Sequence, residues 1–185
     1  IRGAFEEPKR GLVLELLEFA TAAAGPPSFS TVTRDTLPCH GGPGPRYQVP
    51  AAKAIALAVA SASAYLHGKG ITHGDIYLHN TLVVLDGPKE SSMVKDARLS
   101  DFGAAAAVDD PRLRRLDVRS YGWLLQDLLE SVVAPASTDE CATVSLLKEI
   151  RETCGSQSPD ELPDFAAIVE KIAEGVANNS KKAKI

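Results

Sequence analysis

His73-Gly74-Asp75-Ile76-Tyr77-Leu78-His79-Asn80, followed further on by Leu99-Ser100-Asp101-Phe102-Gly103, decides how this chain is read. Both segments sit among short β-like pieces: Ile71-Thr72 before the first, Thr81–Leu85 after it, and Arg98-Leu99-Ser100 leading into the second. Asp86-Gly87-Pro88-Lys89-Glu90-Ser91-Ser92 between them reads as a solvated hairpin loop. Asp75 and Asn80 therefore stand on a loop between strands, and Asp101 at the end of the next strand of the same hairpin. Gly103 frees the backbone just after it.

Outward from this hairpin, helices dominate. Pro50 suits the first residue of a helix, and Ala51–His67 is apolar on nearly every face, which predicts a buried helix closed by Gly68 and Gly70. Residues 111–133 predict a second central helix, with Trp123 in the core. Amphipathic stretches follow at Thr138–Thr153 and Leu162–Val176, and the tail Asn178–Ile185 is expected to fray. Upstream, Ile1–Phe5 and Leu12–Leu17 read as strands joined by a turn at 6–11. Between 25 and 50 fall six of the 12 prolines, predicting a loop region with at most a short helix around Phe29–Thr36.

The chain has 185 residues, one domain's worth, and an ordinary globular mixture of 44% hydrophobic and 24% charged residues. Abundant alanine with only 5% aromatics leans towards closely packed helices. A net charge of −4 gives no basic surplus for nucleic acid or anionic membrane, and neither is expected as a partner. The longest apolar run, Ala54–Leu66, is shorter than the ~20 residues a bilayer needs. Cys39, Cys141 and Cys154 show no metal-ligand spacing, and they suit free thiols in a reducing, cytoplasmic setting. The chain opens on Ile1 with no signal peptide, so a fragment is expected.

Chemistry narrows the reading. Phosphoryl transfer from ATP asks little covalent work of a protein. It needs a carboxylate to orient the attacking hydroxyl and accept its proton, and oxygen ligands that hold Mg²⁺ against the phosphates. Asp75 fits the first role, and Asn80 with Asp101 the second. Alone, Asp75 and Asn80 would read as a hairpin turn and Asp101–Gly103 as an ordinary D-x-G turn. A His73/His79/Asp75 metal site lacks a fourth ligand.

Here the sequence resembles the protein-kinase superfamily. His73-Gly74-Asp75 with Asn80 is similar to the catalytic-loop H-R-D-x-x-x-x-N, and Asp101-Phe102-Gly103 to D-F-G. Asp117-Val118-Arg119-Ser120-Tyr121-Gly122 resembles the D-x-W-S-x-G opening the family's central buried helix, and Gly11–Leu17 the strand entering the adenine-binding hinge. The resemblance implies an α+β, mainly α-helical fold: a kinase-like C-terminal lobe with a short β hairpin and hinge remnant of the N-terminal lobe. On this reading, residues 1–19 are the last N-lobe strands and hinge. Residues 20–177 are the C-lobe, with a catalytic loop at 73–80 and a short activation segment at 101–116, and 178–185 are tail. The implied cofactors are ATP and Mg²⁺. Asp75, Asn80 and Asp101 would be catalytic, with Asn80 and Asp101 on the metal. Leu14 would be the gatekeeper, Glu15 and Leu17 would bond adenine through their backbone, and Leu82 and Tyr77 would line the nucleotide site. His73 and Asp117 would be structural, Asp117 bonding catalytic-loop backbone. His79 is expected to bond locally, and His40 and His67 to be exposed.

The departures are specific. The family's Gly-rich loop, strand Lys and helix Glu would precede Ile1, and no GxGxxG occurs in the chain. Gly74 replaces the catalytic-loop Arg, Tyr77 replaces a Lys, and the span from Asp101 to Asp117 is short and holds no A-P-E. A truncated, inactive Ser/Thr-kinase-like phosphotransferase is the first expectation. Beside it stand a pseudokinase or scaffold and a small-molecule kinase of aminoglycoside or choline type. The acceptor would be a protein or a small alcohol. Strands lacking sheet partners would favour self-association through their edges.

Overall fold

The computed structural model describes residues 2–7, 11–29, 32, 34–37, 46–87, 93–108, 110–156 and 158–182. The order is β1 (Gly3–Phe5), β2 (Gly11–Val13), β3 (Ala20–Ala22), α1 (Val49–Gly68), β4 (Ile71–Thr72), β5 (Thr81–Leu85), β6 (Val94–Leu99), β7 (Ala106–Ala107), α2 (Pro111–Glu130), α3 (Thr138–Cys154) and α4 (Phe165–Lys182). The strands form three small antiparallel sheets, β1-β2, β3-β5-β6 and β4-β7. The fold is thus α+β, with four α-helices among the described residues. The 86–92 loop and the 6–11 turn fall partly, and His40 and Cys39 wholly, outside the described residues.

The core forms around α1, which packs on α2, α3, α4 and β6. Its small side chains permit this crowding: Ala52, Ile55, Ala56, Val59, Ala60 and Ser63 are all buried. Tyr121 of α2 donates its hydroxyl to the Ala56 carbonyl at 2.9 Å, tying the two helices through a buried polar bond. Ile76, Leu78 and Val83 carry the same core under the loop 73–80 and into β5.

Several expectations are corrected. The strand read over Leu12–Leu17 ends at Val13; Leu14 and Leu16 are 64% and 86% exposed, with no sheet face beneath them. The stretch 29–36, read as a loop with at most a short helix, falls partly outside the described residues; Val32 within it holds a left-handed φ of 60°. Trp123 is half exposed rather than core: the inner face of α2 is taken by Val118, Tyr121, Leu124, Leu125 and Leu128, and Trp123 lies outside it under the Arg34 guanidinium. Strand β3, unread in an alanine-rich run, pairs with β5. At 20 residues and a mean hydropathy of 1.5, α1 is long and apolar enough to cross a membrane, whereas the run read as too short stopped at 54–66; here it is the packed core helix. Helix α4 continues to Lys182, so residues 178–182 of the expected tail are helical.

Candidate active site

Loop 73–80 is held from below by one carboxylate. Asp117, 1% exposed in α2, accepts from the His73 amide at 2.8 Å through Oδ2 and from the Gly74 amide at 2.9 Å through Oδ1. His67 of α1 bonds the same Oδ2 at 3.0 Å, so it is largely buried rather than exposed. Burial works to raise the Asp117 pKa, but the His67 bond and the amides of His73 and Gly74 outweigh it and hold the carboxyl below its ordinary value. A buried acceptor facing several donors is what fixes a loop whose first residues have no regular structure before the 3₁₀ turn Leu78–Asn80.

His73 joins the loop to the second segment. Its ring is fully buried, donates from Nε2 to the Ser100 carbonyl at 3.0 Å, accepts the Asp75 amide on Nδ1 at 3.3 Å, and packs edge-on against Phe102. Asn80 is 6% exposed. Its Nδ2 donates to the Asp75 carbonyl at 3.0 Å and to Asp75 Oδ2 at 2.7 Å. Its own carbonyl accepts from Ser100 N and Oγ, both at 2.8 Å. Asp75 and Asn80 are therefore in direct contact, and Asp101 follows the residue bonded to Asn80. With its donor committed to Asp75, the Asn80 amide keeps its oxygen as an acceptor. Asp101 is exposed and left-handed, φ 58°, and its Oδ1 accepts from Gly103 N at 3.1 Å to cap the short 3₁₀ turn Phe102–Ala104. A non-glycine residue held there is strained backbone, of order 1–3 kcal/mol. Asn80 and Asp101 supply the hard oxygen donors that suit Mg²⁺.

Glycine at position 74 has a physical reason. Its φ is +80°, and a Cβ there would meet the Ala104 carbonyl oxygen at 2.7 Å. The short 101–116 segment folds directly against the loop, and β4–β7 pairing (Ile71↔Ala107, Thr72↔Ala106) pins it. No side chain fits between them.

The adjoining wall is acidic, and sequence reasoning missed its main residue. Asp35, 2% exposed, accepts from His79 N at 3.0 Å and bonds His79 Nδ1 at 2.7 Å. His79 thus bonds a distant loop rather than its neighbours, and it stacks on Tyr77 with ring centroids 5.6 Å apart. Burial first, then the charges of Asp75, Asp35 and Asp127, raise the Tyr77 pKa and keep the phenol protonated. The signal available was Arg34-Asp35, a charged pair inside an otherwise Gly/Pro-rich stretch; Arg34 ion-pairs with buried Asp127.

The residues read as the nucleotide edge lie apart from this cluster in their bonding. Leu14 is exposed, and Glu15 pairs with Arg2 at 3.3 Å and with Arg98 of β6 at 3.9 Å. The backbones of Glu15 and Leu17 have no hydrogen-bond partner among the described residues. Leu82 lies in β5 between Ala22 and Arg98. Among the described residues no group of three or more His, Cys, Asp and Glu side chains is arranged to hold a metal ion, and His73 and His79 are drawn to Ser100 and Asp35 respectively.

No family model matches the chain. It is 30% identical over 102 residues, 54% of its length, to the serine/threonine-protein kinase PkaB of Streptomyces coelicolor. It is 34% identical over 99 residues, again 54% of its length, to the serine/threonine-protein kinase AfsK of the same organism. The chain covers 24% of the first relative and 10% of the second. These similarities support a relationship to Ser/Thr protein kinases over about half of the chain.

Proposed function

We propose that this chain carries the catalytic-loop half of an ATP- and Mg²⁺-dependent phosphotransferase of protein-kinase type, with the architecture of that family's C-terminal lobe. The observation that carries this reading is the Asp75–Asn80 contact on a loop bonded to Ser100, the neighbour of Asp101. The similarity to two Ser/Thr kinases supports it.

The roles follow from the bonding. Asp75 has Oδ2 engaged by Asn80 and Oδ1 unbonded among the described residues, so Oδ1 can accept the proton of an incoming hydroxyl and orient its oxygen. Asn80 Oδ1 and the Asp101 carboxylate would hold the ion, whose contribution is to neutralise charge on the phosphates. Asp117 positions the loop without touching reactants. Tyr77 offers a neutral donor beside Asp75. The backbone of Glu15 and Leu17 would bond adenine, with Leu14, Leu17 and Leu82 as its apolar surround.

No GxGxxG phosphate loop occurs in the chain. By itself the chain would hold phosphates from one side, in water, where charge stabilisation is weak, and transfer would be negligible. The test is Asp75→Asn in the full-length protein: most of kcat lost with nucleotide still bound. An unchanged rate would overturn the assignment of Asp75. The short span from Asp101 to Asp117 keeps a small alcohol beside a protein as the acceptor to be tested. Assays of aminoglycosides and choline against a protein panel separate the two acceptor classes, and a pseudokinase would phosphorylate neither.

A further inference from the structure

A second pocket, independent of the reading above, lies between the end of α1, the start of α2 and the start of α4. It encloses about 340 Å³, and its walls include His67, Arg114, Arg115, Leu162 and Phe165. That size sits at the lower end of small-ligand sites.

Its two arginines are under-bonded. Among the described residues Arg114 reaches only the His67 carbonyl at 3.3 Å and the Val108 carbonyl at 3.5 Å, and its Nε is buried with no partner there. Arg115 reaches only the Leu162 carbonyl at 3.5 Å among them. These distances lie beyond the usual N–H···O range, and neither guanidinium has an ion-pair partner among the described residues. Elsewhere in the molecule guanidiniums find carboxylates: Arg34 with Asp127, Arg98 with Asp96, and Arg112 with Asp110. One carboxylate, Asp164, also lines the pocket, its Oδ1 accepting from the Ala167 amide at the start of α4. The pocket thus holds two permanent cations with spare donors against one carboxylate, and a planar fork of donors matches the oxygens of a phosphate. Besides the arginines, His67 and Asp164 the wall is apolar, and Ala64, Pro111 and Pro163 are among its accessible apolar side chains.

We propose that this pocket binds a small-molecule phosphomonoester, the phosphate on Arg114 and Arg115 and the carbon body against Ala64, Pro111 and Pro163. The test is calorimetric titration of the whole chain, at constant ionic strength, with phenyl phosphate, inorganic phosphate and phenol. Phenyl phosphate should saturate and bind about tenfold more tightly than either fragment, since each fragment uses half of the pocket. Arg114→Gln and Arg115→Gln should each weaken it about tenfold, and Lys148→Gln on α3 should not. Thermal melts check folding, and Arg115→Gln, which removes a single weak carbonyl bond, keeps the test alive if Arg114→Gln unfolds. Phenyl phosphate binding no tighter than inorganic phosphate would mean an adventitious ion only and would overturn the proposal. So would unchanged affinity in folded arginine variants.

Discussion

Asp117 and Asp127 stand in the same helix, both 1% exposed, and burial has opposite outcomes for them. Asp117 meets two amides and an imidazole, so its pKa falls below the ordinary value. At Asp127 burial wins over the Arg34 bond, one oxygen stays unpaired, and the pKa rises. A depressed folded pKa means stability that is present above the ordinary carboxylate pKa and lost as pH falls through the folded value. Asp117→Ala should therefore cost about 3 kcal/mol at neutral pH, leaving the His73 and Gly74 amides buried without an acceptor, and should flatten the loss of stability below about pH 4. Asp127→Asn should cost less, since it removes a charge that burial already disfavours. Urea melts of both variants between pH 3 and 7 measure this; equal costs, or an unchanged acid limb in Asp117→Ala, would count against it. At this scale the Asp75–Asn80 contact was legible as two polar residues of one short loop, and the resemblance supplied the backbone-bonding part that Asp117 plays. Asp35 was not legible, because a carboxylate inside a loop shows its His79 partner only once the chain has folded across more than forty intervening positions.

Elements were read as far as their periodicity reached. The alanine-rich α1 and the paired β5–β6 hairpin carry strong local patterns, and both are present. Trp123 was misplaced because an apolar residue on a mostly buried helix gives no sign of which side faces out. The strand over 12–17 failed because a strand needs a neighbour, and Leu14–Leu17 has none among the described residues. What lets α2 and α3 approach is Gly122, where an added Cβ would stand 3.0 Å from the Cys154 Cβ. Gly122→Val should force these helices apart and destabilise the fold by about 1–3 kcal/mol. The same opening would expose Cys154, whose thiol burial pushes up to about 12 despite the charge of Lys171. Thiol-labelling kinetics would show Cys154 protected in the parent and reactive in Gly122→Val; equal protection in both would refute the close-approach argument.

For the whole molecule, the β1–β2 ribbon is a two-stranded sheet, marginal on its own and open at both edges among the described residues. Pairing through these edges predicts concentration-dependent association in sedimentation equilibrium, abolished by a proline at Leu12; a monomer at every concentration would contradict it. The central claim, that Asp75, Asn80 and Asp101 form one divalent-ion and nucleotide site, has a more direct test. In the isotope-labelled chain, Mn²⁺ added with ATP should broaden the amide signals of loop 73–80 and of residues 100–103 first, and Asp101→Asn should remove that broadening. Broadening spread over the other surface carboxylates, or retained in Asp101→Asn, would contradict the account.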